Sequence, residues 1–251
     1  MIQDLHSHTY YSFCGKDSPE AIVEAAINGG IELFGITDHS HGVAYGRVDV
    51  YKLTDDVLAR KYERRCFERY MDHIRLIKEK YADRITVLRG IEIATIWDPE
   101  HSKWLFADDA DFSAFDYCLI EHLDNPNSVT KGDLFALAER CGTPIKGVAH
   151  TDLFAHAERM GEEPYRYFKR MADENIFWEM NVSYDSTHGY REHQYMLDFF
   201  ADAEKQAIVR ESGVRLSVGF DGHKVEDYLP ERVADFCRRI TEIGIKLAFE
   251  E

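Results

Sequence analysis

Short apolar or β-branched runs recur along the chain at residues 2–5, 31–37, 85–91, 115–120, 145–149, 176–182 and 214–220. Each ends in or contains a polar cluster, and runs of this length bounded by polar residues read as buried strands. Stretches with helical periodicity lie between them. Ser18 and Pro19 supply an N-cap and a first-turn proline ahead of a segment that closes on Gly29 and Gly30. A long charged amphipathic stretch covers 55–82, and shorter ones fall at 131–141, 164–174, 192–211 and 230–243. Strand alternating with helix predicts an α/β fold of parallel strands joined by right-handed crossovers. The C-terminal ends of such strands converge on one face of a barrel or sheet, where barrel enzymes place their chemistry. No internal repeat or linker-like tract interrupts the pattern, so residues 1–251 are expected to form one domain.

The residues that follow the runs are chemically uniform. His6 and His8 follow the first, Asp38 and His39 the second, Glu92 the third, Glu121 and His122 the fourth, and His150 the fifth. The sixth contains Glu179 and Asn181, and Asp221 and His223 follow the seventh. A single histidine is usually structural, but six of them with Glu92 and Asp221, all just beyond strands, would point into one mouth if the strands close. Such a cluster is costly to desolvate unless divalent cations satisfy it, which predicts a metal site. His41, His73, His101, His156, His188 and His193 are read individually as structural or surface residues, His73 as a solvated one on its charged helix.

Composition narrows the partners. Thirty basic against 46 acidic residues leave a net charge of −16, a field that repels nucleic-acid backbones and anionic membranes. The five cysteines are widely spaced without a CxxC pair, which argues against a disulfide framework and fits a reducing compartment. The sequence has no signal-like start and no apolar run near the ~20 residues that span a bilayer, so a soluble, cytoplasmic protein is expected.

The motifs, taken in order, resemble the polymerase and histidinol phosphatase (PHP) superfamily, most closely its histidinol-phosphatase branch. They are DLHSHT at 4–9, SPEAIVEAAINGGIELFGITDHS at 18–40, RGIEI at 89–93, FDYCLIEH at 115–122, GVAHTDL at 147–153, FWEMNVS at 177–183 and SVGFDGHKVED at 217–227. The resemblance implies a distorted (β/α)7 TIM-like barrel holding two to three divalent ions, manganese, iron or zinc. It assigns His6, His8, His39, Glu92, His122, His150, Asp221 and His223 as ligands, with Glu92 bridging two metals. It also makes Asp38 a catalytic-site residue that orients an imidazole; the alternative reading of Asp38 is a helix N-cap.

This chain departs from the branch in three places. Where the family supplies a further ligand after HxH, the sequence reads TYYSFCGKDS, which aligns Lys16 with the ligand position. A protonated lysine cannot coordinate, so Asp17 or Cys14 would have to substitute. The stretch between His122 and His150 is short for the branch, and VSYDSTHGYR replaces the usual residues after Asn181.

The resemblance implies a phosphoesterase acting on a small phosphorylated metabolite through a hydroxide shared by adjacent metals. Phosphate recognition calls for an arginine fork; Arg159 stands at a distance after the fifth run where the branch places basic residues, Arg191 follows the sixth run, and Lys16 and Lys224 lie near strand ends. Three divalent ions facing Glu92 and Asp221 would leave roughly +4 in the mouth, which reconciles an acidic chain with an anionic substrate. The alternatives are a cyclic phosphodiesterase or nucleotide phosphatase of the same superfamily, a non-catalytic PHP module, and a related barrel that hydrolyses carbon–nitrogen bonds. Oligomeric state is not legible.

Overall fold

The computed structural model describes residues 1–46, 64–95, 112–126, 128 and 130–250. Its strands are β1 (Gln3–Asp4), β2 (Leu33–Ile36), β3 (Thr86–Arg89), β4 (Glu92–Ala94), β5 (Cys118–Glu121), β6 (Lys146–Val148), β7 (Ile176–Asn181) and β8 (Leu216–Gly219). All pairings are parallel, in the orders β1-β2-β3 and β4-β5-β6-β7-β8. Only Gly90 and Ile91 separate β3 from β4, and both stay in the ladder: Gly90 N donates to Ile36 O (2.8 Å), and Ile91 O accepts from Leu119 N (2.8 Å). The two are halves of one strand. The remaining seam is closed by Leu5 N to Val218 O (2.9 Å), Asp221 N to His6 O (2.8 Å) and His8 N to Gly222 O (2.8 Å). Seven parallel strands therefore form a closed ring, as the alternation of runs predicts.

Helices cover the outside: α1 (Pro19–Asn28), α2 (Ser40–Tyr45), α3 (Arg64–Tyr81), α4 (Leu134–Cys141), α5 (Leu153–Arg159), α6 (Pro164–Asp173), α7 (Gln194–Ala201), α8 (Ala203–Ser212) and α9 (Pro230–Glu242). Ser18 caps α1 through a hydrogen bond from Ala21 N at 3.2 Å, and Ile22, Val23 and Ala26 form its buried stripe. Of the expected 55–82 helix, residues 55–63 lie outside the described residues.

Two expectations are corrected. The single helix over 192–211 is two, because Asp202 is extended and its carboxylate accepts from Glu204 N (2.9 Å) and Lys205 N (3.1 Å), which starts a new helix. Helix α5 is unanticipated; at 7 residues it is too short to display a helical period, and the Asp152 cap sets its start.

Strand β7 illustrates how the core and the site share one strand. Trp178 and Met180 face the main hydrophobic core, whereas Phe177 belongs to a smaller cluster with Leu5, Leu33, Tyr117, Leu119, Ala149 and Ala248. With a side-chain period of 2, Glu179 and Asn181 continue the face of Phe177 toward the C-terminal ends of the strands. No described helix is long and apolar enough to cross a membrane.

Candidate metal centre

The strand ends bring the expected residues together around Glu92, at the start of β4. One of its oxygens, Oε1, lies 3.1 Å from His6 Nε2 and 3.2 Å from His150 Nε2. The other, Oε2, lies 3.4 Å from His8 Nε2 and 2.9 Å from His39 Nδ1. Asp221, just past β8, places Oδ1 3.4 Å from His6 Nε2 and 3.1 Å from His8 Nε2. The His223 ring stacks on His8 at 4.5 Å, with Nδ1 3.9 Å from Asp221 Oδ1. His122 sits at the edge: its side chain is 31% exposed, and Nδ1 meets Glu121 Oε2 at 3.0 Å. Glu121 is the residue of β5 that enters the cluster, with Oε1 3.3 Å from His39 Nδ1.

Behind this layer, two carboxylates fix the imidazoles. Glu179 Oε1 lies 2.7 Å from His6 Nδ1, which assigns the proton to Nδ1 and turns Nε2 toward Glu92 and Asp221. Its Oε2 accepts from His150 N at 2.8 Å. Gly219 makes room for this carboxylate, since a Cβ there would stand 2.1 Å from Glu179 Oε1 and 2.6 Å from His6 Cβ. Asp38 accepts four hydrogen bonds, from the backbone N–H and hydroxyl of Thr9 and of Ser12, at 2.6–3.0 Å. It touches no imidazole; Ser12 Oγ connects it to His8 Nδ1 (3.3 Å) and accepts from His39 N (2.9 Å).

The electrostatics favour ionised carboxylates. Burial opposes the charge on Glu92, but the His6 and His39 imidazoles hold its carboxyl well below the usual range. Burial likewise opposes ionisation of Asp221, and His6, His188 and His8 outweigh it. Burial, together with neighbouring His39 and His223, pushes His8 down to about 3, leaving a neutral ring with a lone pair to offer. The backbone is strained at the same place: His122, His150 and Asp221, which follow β5, β6 and β8, have φ of 58°, 28° and 57°. Non-glycine residues rarely adopt such angles, and their clustering marks a site whose geometry is held against local preference.

These residues fit divalent cations. Glu92 Oε2, His39 Nδ1, His122 Nδ1 and His223 Nδ1 are buried without hydrogen-bond partners among the described residues. His39 Nδ1 and Glu92 Oε2 approach to 2.9 Å, so an imidazole nitrogen and a carboxylate oxygen stand close enough to share one cation. Three sets of potential ligand atoms are mutually within 4.8 Å around the two central carboxylates: His6, His8 and Asp221; His8, His39 and Glu92; and Glu92, Glu121 and His150. Mixed imidazole and carboxylate donors suit zinc, iron and manganese.

Around the mouth, several residues differ from their sequence reading. His188 is part of the site, with Nε2 3.1 Å from Asp221 Oδ2 and Nδ1 2.8 Å from buried Asp185 Oδ1. His193 stacks on His150 at 6.0 Å, and His41 is buried against His39 at 5.0 Å. His73 is half-buried rather than solvated, joined to Tyr11 Oη (3.0 Å) and Glu20 Oε1 (3.2 Å). His101 lies outside the described residues. Arg159 turns its exposed guanidinium to Asp124 O (2.7 Å) and His156 Nδ1 (2.7 Å), bracing the loop after His122. Arg191 is exposed and lies between His188 and His193 in a loop whose histidines both face the mouth.

The PHP domain model matches residues 4–239. The chain belongs to the PHP domain family. Every residue of the expected ligand set falls within the PHP match. Among solved structures, the histidinol phosphate phosphatase of Lactococcus lactis subsp. lactis Il1403, complexed with zinc, L-histidinol and phosphate, is similar at TM-score 0.59 and 15% identity, covering 98% of this chain and 95% of that one. A structure from Listeria monocytogenes, provisionally named a histidinol phosphatase, aligns at TM-score 0.42 and 14% identity over 98% of this chain and 93% of the other. The likeness to the Lactococcus structure supports the α/β fold. No curated protein matches the sequence significantly.

Proposed function

We propose that this PHP domain is a metal-dependent phosphomonoesterase of the histidinol-phosphatase type, acting on a small phosphorylated metabolite. The observation that carries the reading is Glu92: four imidazoles surround its two oxygens, His6 and His150 at one and His8 and His39 at the other, which would suit a carboxylate shared between cations. His6, His8 and Asp221 would hold one ion, and Glu121 and His150 another, with Glu92 between them. When bound, such ions supply Lewis acidity toward phosphoryl oxygens and lower the pKa of water to make a nucleophile at neutral pH.

The side chains around them have separable tasks. Glu179 and the Ser12–Asp38 pair fix the His6 and His8 rings, so that ligand lone pairs are aimed before any cation arrives. His188, braced by Asp185, holds the outer oxygen of Asp221. Counting Glu121 and Glu179 with Glu92 and Asp221, four buried carboxylates face the cluster, and three divalent ions would leave roughly +2, less than two carboxylates alone imply. The mouth would still attract a phosphate dianion through an acidic surface.

Arg191 is the phosphate-binding arginine in this reading, because it lies between His188 and His193, which contact Asp221 and His150, while the Arg159 guanidinium is committed to a loop carbonyl and His156. Arg191→Ala is expected to raise KM for a phosphomonoester by about ten- to a hundredfold, the worth of a charge-assisted hydrogen bond or two. Arg159→Ala should have a smaller effect; the opposite order in steady-state kinetics would reassign the phosphate contact. The function itself is tested by phosphate release from a panel of phosphomonoesters that includes histidinol phosphate, set against cyclic phosphodiesters and nucleotides. Preference for a small monoester is expected, and preference for a cyclic diester would select the alternative chemistry.

A further inference from the structure

The loop between His8 and α1 carries the departure at Cys14, Lys16 and Asp17, and its fold separates the three. Lys16 is exposed. The Asp17 carboxylate accepts from Val225 N at 2.8 Å, and its carbonyl accepts from Tyr10 N at 2.8 Å, so Asp17 ties the loop to the turn Val225–Asp227 and is not aimed at the cluster. These bonds curl the loop tightly. Ser12 N donates to Thr9 O at 3.0 Å, and Gly15 is pressed so close to the Thr9 carbonyl that a Cβ there would lie 2.0 Å from the oxygen. The curl turns Cys14 inward, where its Sγ and ring nitrogens of His8 and His223 are mutually within 4.8 Å.

An independent observation points to a ligand at the same place. The His223 side chain is only 7% exposed, and its Nδ1 is buried with no hydrogen-bond partner among the described residues. The His39 ring stacks on the other face of this group, 4.5 Å from His8. A thiol, an orphaned imidazole nitrogen and the His39 imidazole form a donor set that meets the one centred on His6, His8 and Asp221 at the His8 ring.

Resting on the metal-centre reading above, we propose that Cys14 is a metal ligand in this chain, its sulfur joining His223 and His39 at a cation position beside the one that His8 shares with His6 and Asp221. On binding, the thiol S–H breaks, its proton leaves to solvent, and a sulfur–metal bond forms with no change of oxidation state. A soft thiolate donor shifts this position toward zinc or iron(II) and away from manganese, which prefers oxygen ligands. Neither the net charge nor the histidine count would indicate that selectivity.

X-ray absorption at the zinc edge of the zinc-loaded full chain tests the proposal. A sulfur scatterer at about 2.3 Å is expected in the wild type. It should vanish in Cys14→Ser, with loss of about one zinc per chain. It should also vanish in Cys14→His, which supplies a replacement nitrogen and should keep the zinc content. Asp17→Asn should keep both the sulfur signal and the metal. A fully loaded wild type without the sulfur signal, or a signal that survives in Cys14→Ser, would overturn the assignment of Cys14 while leaving the phosphatase reading intact. A wild type that takes up no zinc would overturn the Cys14 assignment, and one that takes up neither zinc, iron(II) nor manganese would overturn both.

Discussion

Glu92→Gln is expected to lower kcat/KM by at least about a thousandfold and to reduce the bound metal, while the fold is retained. The substitution keeps the shape of the side chain but replaces one oxygen by an amide donor, which cannot share lone pairs with cations on both sides. Each oxygen now faces two imidazoles at 2.9–3.4 Å, so the change alters the bridge and not one contact at its rim. Loss of Lewis-acid stabilisation is worth several kcal/mol, and each 1.36 kcal/mol is about tenfold in rate. Steady-state kinetics with elemental analysis of the same preparation checks it. Glu24→Gln, which breaks an exposed pair with Arg84, should leave both unchanged. Near-wild-type turnover and metal content in Glu92→Gln would remove the bridging role.

Stripping the metals with a chelator is expected to lower Tm by at least about 10 °C, reversibly on readdition. A ligand present at 100 to 1,000 times its Kd stabilises by about 3–4 kcal/mol per site, and a chain of this size shifts by roughly 2–4 °C per kcal/mol. The loss should depend on pH in a definite direction. Burial opposes protonation of His150, but its hydrogen bond to Glu92 and that carboxylate's charge raise it to about 9, from 6.5 in the unfolded chain. His6 and His39 are raised well above 6.5 in the same way, by buried carboxylates that outweigh desolvation. In the metal-free protein these protonated rings stand in for the cations, so their stabilisation is complete below pH 6.5 and is lost as pH rises through about 9. Metal-free Tm should therefore fall between pH 6.5 and 9, whereas the loaded protein holds its Tm, because the cations take the place of the protons. Calorimetry on both forms across that range checks the contrast; a chelated protein with unchanged Tm and a flat pH profile would mean that nothing is bound.

The sequence made the ring legible because buried parallel strands are short apolar runs: six of the eight strands lie wholly within the runs, β5 ends one residue past its run at Glu121, and β4 begins just past the third at Glu92. Histidines and carboxylates immediately after those runs were legible for the same reason. The carboxylates Glu121 and Glu179 were seen as part of their runs but given no role. Strand periodicity could have identified Glu179, which shares the face of Phe177 and Asn181 on β7. At β5 the histidine drew the assignment, yet the left-handed backbone at His122 leaves its ring at the rim and Glu121 inside.

Loop residues were less legible, because nothing in a local pattern says where a loop folds back. His188 and Cys14 reach the cluster through the curl of their loops, by contacts to Asp185 and along Thr9–Asp17. The break at Asp202 was hidden because the apolar spacing of α7 and α8 reads as one helix, and only the cap geometry divides them. The resemblance offers Arg159 as a phosphate-binding residue, but no sequence pattern carries information about the carbonyl of Asp124, to which its guanidinium is bonded.

The account rests on a catalytic polynuclear centre, and the most direct measurement is phosphate release from a small phosphomonoester as metal-free protein is titrated with zinc, iron(II) or manganese. The account predicts no release without metal, and activity that rises with added ion to a plateau at two to three equivalents per chain for at least one of the three. Phosphate release independent of metal, or no release from any monoester with two to three ions bound, would contradict it.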